Sequence, residues 1–250
     1  MDNNEKNENQ HTYDNGFHPK EVILKENYKF YLNNIFFKFF STLLILITKF
    51  FLFFPKHLVW GYKIIGKKNK KYAKGSVIIS NHIHQLDALI LITSYPFKRI
   101  YCTTLQSNLG FGIVSKYFRL GGAVPIPNDL KLFKKFTKET KEALESKSSI
   151  LVYPEASLMP YCDHIRPFLP GAFQFALNAN AKILPTVYTF HKPKGIYKLT
   201  RRKKPCIHYN ILNPYTIKDM GNRKLTMETA AKELNDMLSK YFIENSDYFS

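Results

Sequence analysis

Six short apolar runs of β type recur between residues 76 and 211, at 76–80, 99–103, 123–126, 149–153, 183–190 and 205–211. Helical patterns separate several of them, notably at 130–146 and 172–179. Gly121-Gly122 and Asn128-Asp129 punctuate the turns. Strands alternating with helices predict an α/β domain, a largely parallel or mixed sheet covered by helices. Residues 227–242 place Met227, Ala230, Ala231, Leu234, Met237, Leu238, Tyr241 and Phe242 at helical spacing, which predicts an amphipathic helix closing on the sheet. At 250 residues the chain holds one such domain with a full core, plus extensions.

The extensions lie at the N-terminus. Residues 1–20 are polar and mixed in charge, which predicts a disordered tail without a secretory signal. Residues 21–65 carry a membrane-attachment segment centred on 35–54, about the 20 residues a bilayer span needs. Lys38 and Lys49 interrupt it. On a helix, Lys38, Ser41, Thr42, Thr48 and Lys49 fall within one arc of roughly 120°, and the remaining face is Ile, Leu and Phe. That favours an interfacial helix, or half of a re-entrant hairpin, over a simple span. Residues 66–75, with Lys67, Lys68, Lys70, Lys71 and Lys74, read as a basic linker to a domain over 76–250. A second basic group runs from Lys192 to Lys204, and the net charge is +18. Beside an apolar segment, such charge points to an anionic membrane surface. No nucleic-acid motif accompanies it. Cys102, Cys162 and Cys206 show no paired spacing, which suits a reduced compartment.

Directly after the first core strand comes Ser80-Asn81-His82-Ile83-His84-Gln85-Leu86-Asp87. Five positions separate His82 from Asp87 at a strand-to-helix turn. Acyl transfer needs a base near a hydroxyl, a group to hold that base, and donors for an oxyanion. His82 and Asp87 can supply the first two, and backbone N–H groups at the helix start the third.

Farther on, the run 149–153 is closed by Pro154-Glu155-Ala156-Ser157, followed by Arg166, Gly171-Ala172 and Leu184-Pro185-Thr186-Val187. In this order the chain resembles the glycerophospholipid acyltransferases, a family that includes lysophosphatidate acyltransferase. Its Asn-His-x-x-x-x-Asp motif is met by Asn81, His82 and Asp87, and its Pro-Glu-Gly-Thr-Arg motif is half met by Pro154 and Glu155. The resemblance implies His82 and Asp87 as catalytic residues, and Asn81, Glu155, Ser157, Arg166 and Gly171 as substrate-binding residues. It implies neither metal nor cofactor. The donor is acyl-CoA or an acyl carrier protein, and the acceptor a lysophospholipid, with lysophosphatidate foremost. The catalytic domain then sits on the cytoplasmic face of the cell membrane. His84 reads as structural. Two arginines that the family directs at the acceptor's phosphate are replaced by Asn128 and Leu158, and Arg166 is the candidate to substitute for one. An acceptor without a terminal phosphate therefore stays open. Two other classes fit part of the pattern: a metal-dependent hydrolase using His82, His84 and Asp87, and a basic non-catalytic membrane-binding protein.

Overall fold

The computed structural model describes residues 20–201 and 203–249, and within them seven strands form one sheet. The rest of the tail expected at 1–20, and Arg202 of the second basic group, lie outside the described residues. The strands are β1 (Lys63–Ile65), β2 (Val77–Ile79), β3 (Ile100–Leu105), β4 (Ala123–Ile126), β5 (Ser149–Val152), β6 (Ile183–His191) and β7 (Cys206–Ile211). Across the sheet they run β1-β7-β6-β2-β5-β3-β4. Neighbours from β6 to β4 are parallel, whereas β7 is antiparallel to β6 and parallel to β1. The sheet is thus mixed, with a parallel centre. β2 and β5 are buried along their whole length, which is why they read as unbroken apolar runs rather than as alternation.

The helices are α1 (Ile35–Phe54), α2 (Asp87–Thr93), α3 (Ile113–Gly121), α4 (Leu130–Glu145), α5 (Gln174–Ala179), α6 (Tyr197–Thr200) and α7 (Arg223–Asn245). α4 begins where the Asp129 side chain accepts the Leu132 N–H, and α7 where Asn222 does the same for Leu225. α7 buries Thr226, Ala230, Leu234, Leu238 and Phe242, one residue every fourth position, and packs that stripe on β6. This is the closing helix expected from the sequence.

α1 is amphipathic in an unusual sense. The hydroxyl part of its polar arc faces the protein: Ser41 and Thr48 are buried together with Ile45, while Lys38 and Lys49 stay exposed at its margins. The Ser41 hydroxyl donates to the Leu120 carbonyl at 2.6 Å, and Thr48 Oγ1 lies 2.8 Å from the Tyr117 hydroxyl. The opposite face leaves Phe36, Phe39, Phe40, Phe50, Phe51 and Phe54 exposed. α1 therefore lies along α3 and α2. By length and composition the helical stretch Ile35–Val59 could cross a membrane.

Residues 66–75, expected as a linker from their charge, form a short 3₁₀ helix, Lys67–Ala73, docked on the sheet. Asn69 is buried and donates through Nδ2 to the Ile211 carbonyl at 3.0 Å. Lysines on the outer side of the turn conceal that one inward amide. All three cysteines are free, and Cys102 and Cys206 are buried.

Candidate active site

β2 and β5 are adjacent parallel strands, so the segments leaving their carboxyl ends meet. In open α/β sheets this end is where ligands sit. From β2 come Ser80 to Asp87, and from β5 come Tyr153, Pro154 and Glu155. Backbone hydrogen bonds join the two segments: Met159 N–H donates to the His82 carbonyl (3.3 Å) and Tyr161 N–H to that of Ile83 (3.2 Å).

His82 Nδ1 is 2.7 Å from Asp87 Oδ2. Asp87, the first residue of α2, is only 1 % exposed, and the His82 side chain is 23 % exposed. The same carboxylate oxygen accepts the backbone N–H groups of Ile83 (3.0 Å) and His84 (3.4 Å). A buried acceptor of this kind fixes the Nδ1–H tautomer and leaves Nε2 as the basic nitrogen. The His82 ring stacks on Tyr153, with centroids 4.3 Å apart and planes 16° from parallel. The Tyr153 hydroxyl is buried, and Asp87 is among the groups that raise its pKa, after burial itself.

Asn81, expected among the substrate-binding residues, is buried and braces the turn by pairing with β6. Its Oδ1 accepts the Tyr188 N–H (2.8 Å), and its Nδ2 donates to the Tyr188 carbonyl (3.1 Å). The Tyr188 hydroxyl then donates to the Asp87 carbonyl at 3.0 Å. Tyr188 thus holds both ends of the motif. Neither Tyr153 nor Tyr188 is marked in the sequence, since each sits at the end of, or inside, an apolar strand run.

Glu155 adjoins this pair, because the His82 N–H donates to its Oε2 at 3.4 Å. Arg166 folds back over it: Nη2 lies 2.7 Å from Glu155 Oε2, and Nη1 donates to Ser157 Oγ at 2.6 Å. Nη2 also reaches the Ser157 carbonyl. The side chains are 3 % and 15 % exposed for Glu155 and Arg166. Burial raises the Glu155 carboxyl above its ordinary value, and the Arg166 guanidinium pulls the other way. Ala156, standing where the family motif has Gly, adopts a left-handed φ of 59°. That conformation costs an L-residue roughly 1–2 kcal/mol.

Two expectations change in this light. Backbone N–H groups at the helix start are expected to meet an oxyanion; of those in the turn just before α2, the N–H groups of Ile83 and His84 are occupied by Asp87. Arg166, expected to face a phosphate, has its fork committed to Glu155 and Ser157. Gly171 lies exposed on the 3₁₀ turn Pro170–Phe173, with open space where a Cβ would stand. His84 turns Nδ1 to the Leu86 N–H (3.1 Å) and packs near Trp60, so it does not converge with His82 on a metal position. Asn128 is exposed just past β4, and its N–H donates to the Gln106 side chain.

A strand-end histidine held by a buried aspartate, beside a buried glutamate from the next strand, is an arrangement with the parts that base-assisted group transfer requires. The acyltransferase family model matches residues 61–189, just over half of the chain, and the protein belongs to that family. The chain is also similar to the crystal structure of the 1-acyl-sn-glycerophosphate (LPA) acyltransferase, PlsC, from Thermotoga maritima. The TM-score is 0.47 and the identity 14 %, over 80 % of this chain and 98 % of that one. No curated protein sequence matches.

Proposed function

We propose that the protein moves a fatty acyl group from a thioester, acyl-CoA or acyl carrier protein, to the hydroxyl of a lysoglycerophospholipid. The observation that carries this reading is the 2.7 Å His82–Asp87 pair at the end of β2, inside the region the family model matches. His82 Nε2 takes the proton of the acceptor hydroxyl as its oxygen attacks the thioester carbonyl. The tetrahedral intermediate collapses, the C–S bond breaks, and the proton passes from His82 to the leaving thiolate. Asp87 holds the imidazolium in between. A thioester is activated already, so no serine or cysteine nucleophile enters. Glu155, kept in place by Arg166 and Ser157, fixes the loop against the His82 backbone.

Lysophosphatidate is the acceptor we place first. The commitment of Arg166 to Glu155 favours a second reading, in which the acceptor carries no terminal phosphate. The test is acyl transfer by purified protein, with each donor, to lysophosphatidate and to a zwitterionic lysolipid in competition. Preference for lysophosphatidate supports the first acceptor, preference for the zwitterion the second, and transfer to neither contradicts the function.

The outward apolar face of α1 supports attachment to one leaflet of the cell membrane, with the catalytic domain on the cytoplasmic side where thioester donors are made. Apolar burial persists when charges are screened. Washing membranes with about 1 M salt, where the Debye length is only about 3 Å, is therefore expected to leave the protein bound. Quantitative release would show that lysines alone hold it.

A further inference from the structure

Basic side chains converge at a second place. A cavity of about 550 Å³ lies between the end of α1, β1 and the C-terminal end of α2, lined by Lys49, Lys56, Lys63, Lys67 and Lys70 and, among the described residues, by no acidic one. Lys56 is only 6 % exposed. Its Nζ makes long contacts to the Ile90 carbonyl (3.3 Å), Thr93 Oγ1 (3.4 Å) and Ser94 Oγ (3.5 Å), and lies 4.4 Å from the centre of the Tyr62 ring. Burial, reinforced by Lys70 and Lys49, lowers its pKa to about 7. Lys70 donates to the Ser94 carbonyl at 2.9 Å. Capping the end of α2 accounts for these two lysines. It does not account for Lys49, Lys63 and Lys67, which arrive from α1, β1 and the 3₁₀ helix.

Gathering like charges in a cleft, one of them buried, is unfavourable without a counter-charge. An anion in the cavity supplies it, and the hydroxyls of Thr93 and Ser94 add donors. We propose that this cavity binds a phosphate group, carried by an anionic lipid head group or free in solution. The lipid is favoured on two grounds. The volume is in the range of pockets for whole organic ligands and far exceeds a bare phosphate. Phe53, which lines the cavity, is 53 % exposed on the outward apolar face of α1. The site is distinct from that of the acyl acceptor. α2 rises about 1.5 Å per residue, so Thr93 stands about 9 Å along the axis from Asp87. A lysophospholipid's phosphate is closer than that to its own free hydroxyl. The proposal does not depend on the acyl-transfer reading.

The test is calorimetric titration of the full-length protein in detergent with dioctanoyl phosphatidylglycerol, and separately with inorganic phosphate. Saturable binding is expected, weakened at least about tenfold in a Lys49→Gln/Lys63→Gln/Lys67→Gln variant, whose three side chains are exposed and expendable for folding. Lys56→Met is expected to weaken it likewise, and His82→Ala to leave it unchanged. Tighter binding of the lipid assigns the site to a head group. Equal binding of both, with the same dependence on the lysines, assigns it to free phosphate. Absence of saturable binding by either, or binding indifferent to the triple variant, overturns the proposal.

Discussion

His82→Ala is expected to lower acyl transfer by about 10²- to 10⁴-fold, the usual contribution of a positioned general base. The side chain is partly exposed and makes one hydrogen bond, to Asp87, so the variant should fold. Asp87→Asn should fall in the same range, because an amide can still accept the Ile83 and His84 N–H groups but no longer balances the imidazolium. Asp87→Ala differs in kind. It strands two backbone N–H groups of the motif turn at a cost of roughly 1–3 kcal/mol each, and so should lower stability along with activity. Steady-state rates and thermal melts on the three variants separate these effects. Wild-type turnover in His82→Ala would remove the base from the mechanism.

Loss of Arg166 is expected to act on stability first. Arg166→Met removes the partner of a carboxylate that is 3 % exposed, and breaking a buried pair from one side costs about 3–5 kcal/mol. The double variant Arg166→Met/Glu155→Gln should recover part of that loss, because the stranded charge disappears with its partner. The pH dependence follows from the direction of the shift. Burial already raises the Glu155 carboxyl above the ordinary 4.5, and loss of the guanidinium removes a group that lowers it. The variant's folded state then binds a proton more readily than its unfolded state, so its stability falls as pH rises through that window. The gap from wild type should be widest near pH 7 and narrow on acidification toward 5. Denaturant melts at the two pH values check this. A fully stable variant with a selectively raised acceptor constant would instead return Arg166 to the role of a phosphate ligand.

Much of the architecture was legible because buried parallel strands are unbroken apolar runs. β4 and α1 match the boundaries expected for them, and the other long elements differ by a few residues at their ends. β1 was not legible. It is three residues on a sheet edge, with Lys63 and Ile65 exposed, wedged between an apolar helix and a lysine-rich turn. α3 escaped because it buries no residue completely. At the site, local spacing singled out His82 and Asp87, since a five-residue turn is a local fact, and the resemblance to the family's Pro-Glu motif singled out Glu155. What each polar group touches was not local. That Arg166 turns back on Glu155, and that Tyr188 grips Asn81 across more than a hundred residues, depends on how the loops close. Backbone donors are invisible in a sequence altogether, which is why Asp87's hold on the turn's N–H groups emerges only from the fold.

The central claim is direct transfer from a thioester to a lysolipid hydroxyl with His82 as base, and thiol release measures it most directly. Purified wild-type protein given acyl-CoA or acyl carrier protein should release free thiol only when a lysophospholipid is added, one thiol for each acyl ester formed. Release without any acceptor would make the protein a thioester hydrolase. No release with any lysophospholipid and either donor would contradict the account.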